Sequence, residues 1–280
     1  MRAIKEYFVG KKAVDGDGVK LKRCFGYYEI PRFDPYLLMD FFDSKDSSDY
    51  IKGFPWHPHR GISTITYLIS GQIEHEDSMG NRGLISDGQC QWMEAGSGVL
   101  HQEMPLASDY MLGSQIWLNL AREDKMKEPA YREIDESMLG SFLAPGLEVK
   151  IIAGEYRGIK GPIILEKTRP IYLDIALDPK TSFEYEIDQD LNAFAFVVEG
   201  EVNFNPRSER YVEKGIGVLY EMEAGRIVFN TGRKPGRVLL LAGRPLREEI
   251  AWAGPIVMNS QEELDQAFRD LDSGNFIGAK

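Results

Sequence analysis

Residues 54–75 read FPWHPHRGISTITYLISGQIEH, and the rest of the chain is best understood from this stretch. Its second half, ITYLIS followed by Gly71 and QIEH, is β-branched and aromatic and is broken by a glycine. That is the composition of two strands joined by a turn, each packed on one face. Its first half places His57 and His59 one residue apart. Successive side chains of a strand point to opposite faces, so these two imidazoles share a face. The chain has only four histidines; the others are His75 and His101, and none follows. Histidine suits divalent transition metals, and a scarce ligand type gathered in one region marks a site there.

Outward from this stretch the strand pattern continues. Short apolar runs bounded by turn residues recur as GLI, QIWLNL, LEVKIIAG, PIYLDIAL, AFAFVVEG, GIGVLY, RIVFNTG and VLLLAG. They predict an all-β fold of many short strands, a sandwich or a barrel. HEDSMGNRG at 75–83 supplies the turn residues between two of them.

A faint repeat runs through the pattern. TYLISGQIEH at 66–75 aligns with AFVVEGEVNF at 195–204, with Gly71 matching Gly200, and each copy is followed by a second glycine turn at Gly88 or Gly215. Two similar β domains are expected, 1–130 and 131–280, bridged near 125–145 by the charged KMKEPAYREIDESM with its Pro129. The end of the chain differs in kind. Ser260 and Glu263 form a capping-box pattern, Leu264, Ala267, Phe268 and Leu271 follow at helical spacing, and Gly274 supplies a stop. This predicts an amphipathic terminal helix.

Composition narrows the function. A formal charge of −11 and a pI near 5.0 argue against broad binding to nucleic acid or anionic membrane. Cys24 and Cys90 are the only cysteines and lie far apart, which is no disulfide framework and fits a reducing compartment. The N-terminus lacks an apolar signal core, and no run reaches membrane-spanning length. The expectation is a soluble cytoplasmic protein, with the nucleus also open in a eukaryote.

The same-face geometry of His57 and His59 recurs at His101-Gln102-Glu103, where an imidazole and a carboxylate share a face. On neighbouring strands the two pairs would bring three nitrogens and one oxygen to one point. That set suits Fe²⁺, and nearly as well Mn²⁺, Co²⁺, Ni²⁺ or Cu²⁺; the absence of cysteine disfavours a closed structural zinc site, although zinc itself stays open as the bound metal. Pro58 between the first pair belongs at a strand start or edge. His75, flanked by Glu74 and Glu76 just before the turn, is expected at the surface and outside the site. Phe54, Trp56, Trp92 and Met93 are candidates either for an apolar pocket or for core. No phosphate-binding loop and no Ser or Cys nucleophile motif appears.

These residues resemble a known family. HPHRGISTITYLISGQIEHEDSMGNRGLISDGQCQWMEAGSGVLHQEMP is similar to the signature region of the pirins, of the cupin superfamily. DPYLLMDFF at 34–42, QIWLNLAREDKMKEPAY at 115–131 and GRPLREEIAWAGPIVMNSQEEL at 243–264 extend the likeness over most of the chain. The resemblance implies a bicupin, two β-barrel domains of which only the N-terminal one holds a metal. It places the metal ligands on His57, His59, His101 and Glu103, the four already selected, and lays the terminal helix on the N-terminal domain. It further implies bound iron, one per chain, and in several members a quercetin 2,3-dioxygenase activity that opens a flavonol ring with O₂ and releases carbon monoxide. Glu103 would then double as catalytic base by loosening from the metal.

Other pirins are described as nuclear regulators of transcription that respond to the iron state, so a non-catalytic metal-dependent binding protein with a protein partner is the alternative expectation. A vestigial metal site is a third. One departure from the family pattern stands out: the common HPHRG-x-E becomes HPHRG-I-S here, with Ser63 in place of the glutamate. Ser63 is expected beside the ligands, where it would tune their orientation.

Overall fold

The structure, a computed structural model, describes residues 1–278, and nearly all of its regular structure is strand. Every apolar run singled out above lies in a strand. The chain divides into two compact units. One comprises Met1–Gly10, Phe33–Pro35 and Ser137–Pro245; the other comprises Lys11–Arg32, Tyr36–Glu136 and the chain from Leu246 onward.

In the first unit, strand β1 (Ile4–Val9) pairs antiparallel with Ile216–Tyr220 at the edge of an eight-stranded sheet. A two-stranded sheet, Ser182–Ile187 with Gly225–Asn230, completes the unit's main β structure. Alternate residues of these strands, among them Ile151, Leu173, Val197, Val218 and Leu240, form one continuous buried core. Phe183 stacks on Phe229 at 4.9 Å, and Phe204 meets the same ring at 5.4 Å. Aromatic rings fill this interior.

The second unit holds eleven further strands of interest: β2 (Lys11–Asp15), β3 (Val19–Phe25), β4 (Tyr36–Ser44), β5 (Phe54–His59), β6 (Ile62–Ser70), β7 (Gln72–Asp77), β8 (Arg82–Ile85), β9 (Cys90–Glu94), β10 (Val99–Leu106), β11 (Met111–Asn119) and β12 (Ala130–Ile134). They form a seven-stranded sheet in the order β12-β9-β6-β11-β4-β3-β2 and a four-stranded sheet in the order β5-β10-β7-β8. Leu68 and Phe42 from the larger sheet meet Ile73 and Ile85 from the smaller one in a shared core. Strand β5, with Pro58, stands at a sheet edge, where a missing N–H costs no ladder bond.

The repeat is visible in the backbone. Gly71 and Gly200 have φ of 113° and 68°, and Gly88 and Gly215 have 76° and 89°, so glycines of positive φ recur at the matching turns of both units. The Asp77 carboxylate accepts the N–H groups of Met79 and Asn81, which closes the β7–β8 turn. The charged segment near 125–145 is not all connector. β12 lies within it and pairs with β9, and the chain passes from one unit to the other between Glu136 and Ser137.

The single α-helix described, α1 (Gln261–Asp272), begins with the capping box of Ser260 and Glu263. Its buried Leu264 and Ala267 pack with Ile256, Met258 and Phe276, and Phe268, Leu271 and Leu100 border the same cluster. Among the described residues no helix is long and apolar enough to cross a membrane. Both cysteines are free and buried.

Candidate metal centre

The β5–β10 register sets His57 directly across from His101, and His59 lies across from Val99. Side-chain alternation then turns all three imidazoles inward from the smaller sheet. Their ring nitrogens lie within 4.8 Å of one another, and His57, His59 and His101 are the one such group among the described residues. His59 and His101 are 2% and 1% exposed, while His57 faces the opening.

Two of the rings are fixed by backbone carbonyls. His57 Nδ1 donates to the Pro55 carbonyl at 2.9 Å, and His59 Nδ1 donates to the Pro255 carbonyl at 3.0 Å. Each therefore presents an Nε2 lone pair, and these two Nε2 atoms face each other at 3.1 Å. Two lone pairs at that distance repel unless a cation lies beside both. Two nitrogens bound to one cation at about 2.1 Å, at roughly a right angle, stand about 3 Å apart. Both ring nitrogens of His101 are buried without a hydrogen-bond partner. The donor set fits a divalent transition metal.

Burial keeps the ligands in the form a metal requires. Burial first, and the neighbouring His57 second, push His59 down to about 3. Burial likewise holds His101 well below the usual imidazole range, with the adjacent histidines adding to it. Both stay neutral across ordinary pH.

Glu103 lies on the same strand as His101, but its carboxylate is engaged elsewhere. Oε1 accepts from Thr66 Oγ at 3.0 Å and from the Gln91 amide, and Oε2 accepts from Gln115 Nε2 at 2.7 Å. Thr66, Gln91 and Gln115 project inward from the larger sheet and form a buried polar cage around it. Sequence reasoning did not find this cage. Its signal was a polar residue at an inward position of an otherwise apolar strand, Thr66 in TITYLIS and Gln115 in QIWLNL.

His75 corrects an expectation. It is buried, 3% exposed, not on the surface. Its Nε2 lies 3.2 Å from Asp77 Oδ2, and its ring stacks on Tyr131 at 4.3 Å. Strand β7 is internal to the smaller sheet, so the inward parity of His75 outweighs its charged neighbours in sequence. It stands behind His101, with ring centroids 5.4 Å apart, and outside the three-histidine group.

Ser63 also lies where the sequence did not place it. Opposite Ile65 stands Trp92, and opposite Thr66 stands Gln91. Ser63 thus shares the Trp92 face of the sheet, away from the cage, and its hydroxyl accepts from Trp92 Nε1 at 2.7 Å. Of the aromatic and sulfur candidates, Phe54 lines the cavity at the site, Met93 joins the core beside Ile62 and Val99, and Trp56 is 48% exposed.

Above His57 and His59 opens a cavity of about 840 Å³. Tyr27, Leu38, Phe54, Trp117 and Trp252 supply its apolar walls. Trp117 meets the His59 ring edge-on at 4.9 Å, Trp252 lies 5.9 Å from Trp117, and Tyr27 lies 5.6 Å from Trp252. The polar wall is an ion cluster: Arg23 donates to both oxygens of Asp40, at 2.9 and 2.7 Å, and also pairs with Asp15. Burial raises Asp40 to about 6 despite the guanidinium.

Comparison with known proteins agrees with this architecture. Residues 18–118 match the family model for pirin, and residues 172–277 match that for the pirin C-terminal cupin domain. A pirin-like protein of Caulobacter vibrioides is 40% identical over 99% of both chains. A Pseudomonas aeruginosa protein provisionally named a quercetin 2,3-dioxygenase is 38% identical over 98% of this chain and 97% of its own. A crystal structure titled as quercetin 2,3-dioxygenase from Acinetobacter baumannii superposes with a TM-score of 0.88 at 28% identity, covering 99% of this chain and 98% of that one.

Proposed function

The chain belongs to the pirin family and is a bicupin, and from that premise we propose that it is a metal-dependent dioxygenase of the quercetin 2,3-dioxygenase type. The observation that carries this reading is the cavity over the histidines. Its volume falls in the range of small-molecule sites, about 300–1,000 Å³, and its aromatic walls suit a flat polyphenol. A surface that merely signalled a metal's state would not require such a space.

His57, His59 and His101 would hold the cation, Glu103 would complete the set by giving up a contact with its polar cage, and Fe²⁺ would be the metal. The metal supplies Lewis acidity and a template for a deprotonated substrate hydroxyl. The chain's own residues do the rest. Trp117 and Trp252, whose rings lie 5.9 Å apart, form one aromatic wall that orients the flat ring system, and the apolar walls exclude water from it. Glu103 accepts the hydroxyl proton, and Gln115, which lines the cavity and donates to Glu103, links the buried carboxylate to the substrate space.

The test is metal analysis combined with oxygen uptake on one purified sample. One equivalent of metal per chain is expected, because among the described residues only one histidine group exists. Quercetin should be consumed with O₂ in proportion to metal content. A fully metallated protein that takes up no oxygen with quercetin or related flavonols overturns the enzymatic reading and leaves a metal-dependent regulatory protein.

A further inference from the structure

We propose that the C-terminal strap, residues 251–258, is a working part of the metal centre: it positions His59, and Lys125 is the residue that holds it there. This rests on the three histidines being the metal site.

The two carbonyl-fixed ligands differ in how they are fixed. His57 is tied to Pro55, two residues before it, so its ring is oriented by its own strand. His59 is tied to Pro255, 196 residues later in the chain. The Pro255 carbonyl selects the tautomer of His59 and aims its Nε2, so this ligand exists in working form only while the strap is seated.

The strap is seated by the residues that immediately follow the ligand. The Arg60 carbonyl accepts the Val257 N–H at 3.1 Å. Gly61 lies against the strap so closely that a Cβ there would stand 1.9 Å from the Val257 oxygen, and its φ of 76° also favours glycine. Lys125, 1% exposed, then joins both sides: Nζ donates to Gly61 O at 2.8 Å, to Val257 O at 3.0 Å and to Asn119 Oδ1 at 2.7 Å. Three acceptors meet the three donors of an ammonium, and none is left for water. Neither the three-ligand group nor the cavity accounts for a buried lysine at this place.

The network continues to the helix. Arg60, itself 1% exposed, donates to Ser97 O at 2.7 Å, to the Asp270 carboxylate at 2.7 Å and to Phe276 O at 3.0 Å. Its guanidinium lies over the Phe276 ring at 4.2 Å. A chain of buried contacts thus runs from His59 through Arg60 to α1. Coupling of this kind is reciprocal: whatever positions the ligand is stabilised in turn when metal binds.

The experiment uses metal-free full-length protein titrated with Co²⁺ alone. Affinity and the Co²⁺ absorption spectrum are read, together with backbone hydrogen exchange over residues 251–258 with and without the ion. In wild type, Co²⁺ should slow exchange in the strap. Lys125→Met should weaken Co²⁺ binding by about tenfold or more, the usual effect of losing a residue that orients a ligand, and should alter the spectrum. Asp270→Ala should produce a smaller loss of the same kind, and Asp270→Glu should restore it. Leu240→Ala, which destabilises the other unit's core, should move neither affinity nor spectrum. Wild-type affinity and spectrum in both variants, with strap exchange indifferent to Co²⁺, would overturn the positioning role alone. If Lys125→Met does not fold, the wild-type exchange measurement and the Asp270 pair decide. A wild type that binds no Co²⁺ overturns the metal site itself and the positioning role with it.

Discussion

Gln115 donates through Nε2 to Glu103 Oε2 at 2.7 Å while lining the cavity, so one amide joins the substrate space to the buried carboxylate. That contact makes Glu103 the residue on which the proposed chemistry turns. Glu103→Gln keeps the shape but removes the charge, and it sets an amide against the donors of Gln91, Thr66 and Gln115. At least one of those donors is left unpaired. Turnover of quercetin, normalised to bound metal, should fall by about 10²-fold or more. Oxygen-electrode rates beside metal analysis check this, and a variant with wild-type turnover per metal would remove Glu103 from catalysis.

Two buried histidines of the smaller sheet, on β5 and β7 with β10 between them, should respond differently to deletion. His59→Ala removes a lone pair aimed at the metal and should abolish most metal binding. His75→Ala removes a ring stacked on Tyr131 and leaves Asp77 without that partner. It should retain metal but lose about 2–4 kcal/mol of stability, in the range for large-to-small changes in a core. Elemental analysis and urea unfolding separate the two, and equal metal loss in both would mean that His75 belongs to the site.

Ser63→Glu, which restores the commoner family residue, should not raise activity. Ser63 is fully buried beside Trp92, and its cross-strand neighbour is Glu94. A second carboxylate there would be buried next to a like charge, with a cost of several kcal/mol. A lower melting temperature with unchanged turnover per metal is expected. A gain in turnover would show that the Trp92 face of the sheet communicates with the cage.

Stability of the metal-free protein should depend on pH in a defined window. His59 is held near 3 in the folded state, whereas an unfolded imidazole titrates near 6.5. Between those values the unfolded chain holds the extra proton, so stability is full above about pH 6.5 and declines as pH falls, by about 1.4 kcal/mol per unit for this group. His101, lowered for the same reason, adds to the slope. Urea midpoints from pH 7 to pH 5 measure it, and His59→Ala should flatten the dependence. A dependence of equal slope in that variant would exclude His59 as a source.

The strand period of 2, the glycine turns at Gly71 and Gly200 and the capping box at Ser260 are local, and the sequence by itself determined them. They depend on backbone sterics and side-chain alternation within a few residues. The pairing of His57 with His59 on one face was legible for the same reason. What the sequence could not supply was parity relative to a sheet built from distant strands. Whether Ser63 or Thr66 looks at Glu103 depends on which face of β6 is turned inward, and that is decided by pairing with β9 and β11. His75 sits inside because β7 is flanked by β8 and β10, a fact that its acidic neighbours conceal. Two assignments belong to the tertiary structure alone. The first ten residues join the unit of Ser137–Pro245, and a carbonyl at Pro255 fixes the ring of His59. A backbone carbonyl is the same at every position, so no residue type could announce that contact. It exists only because the folded chain returns the strap to β5.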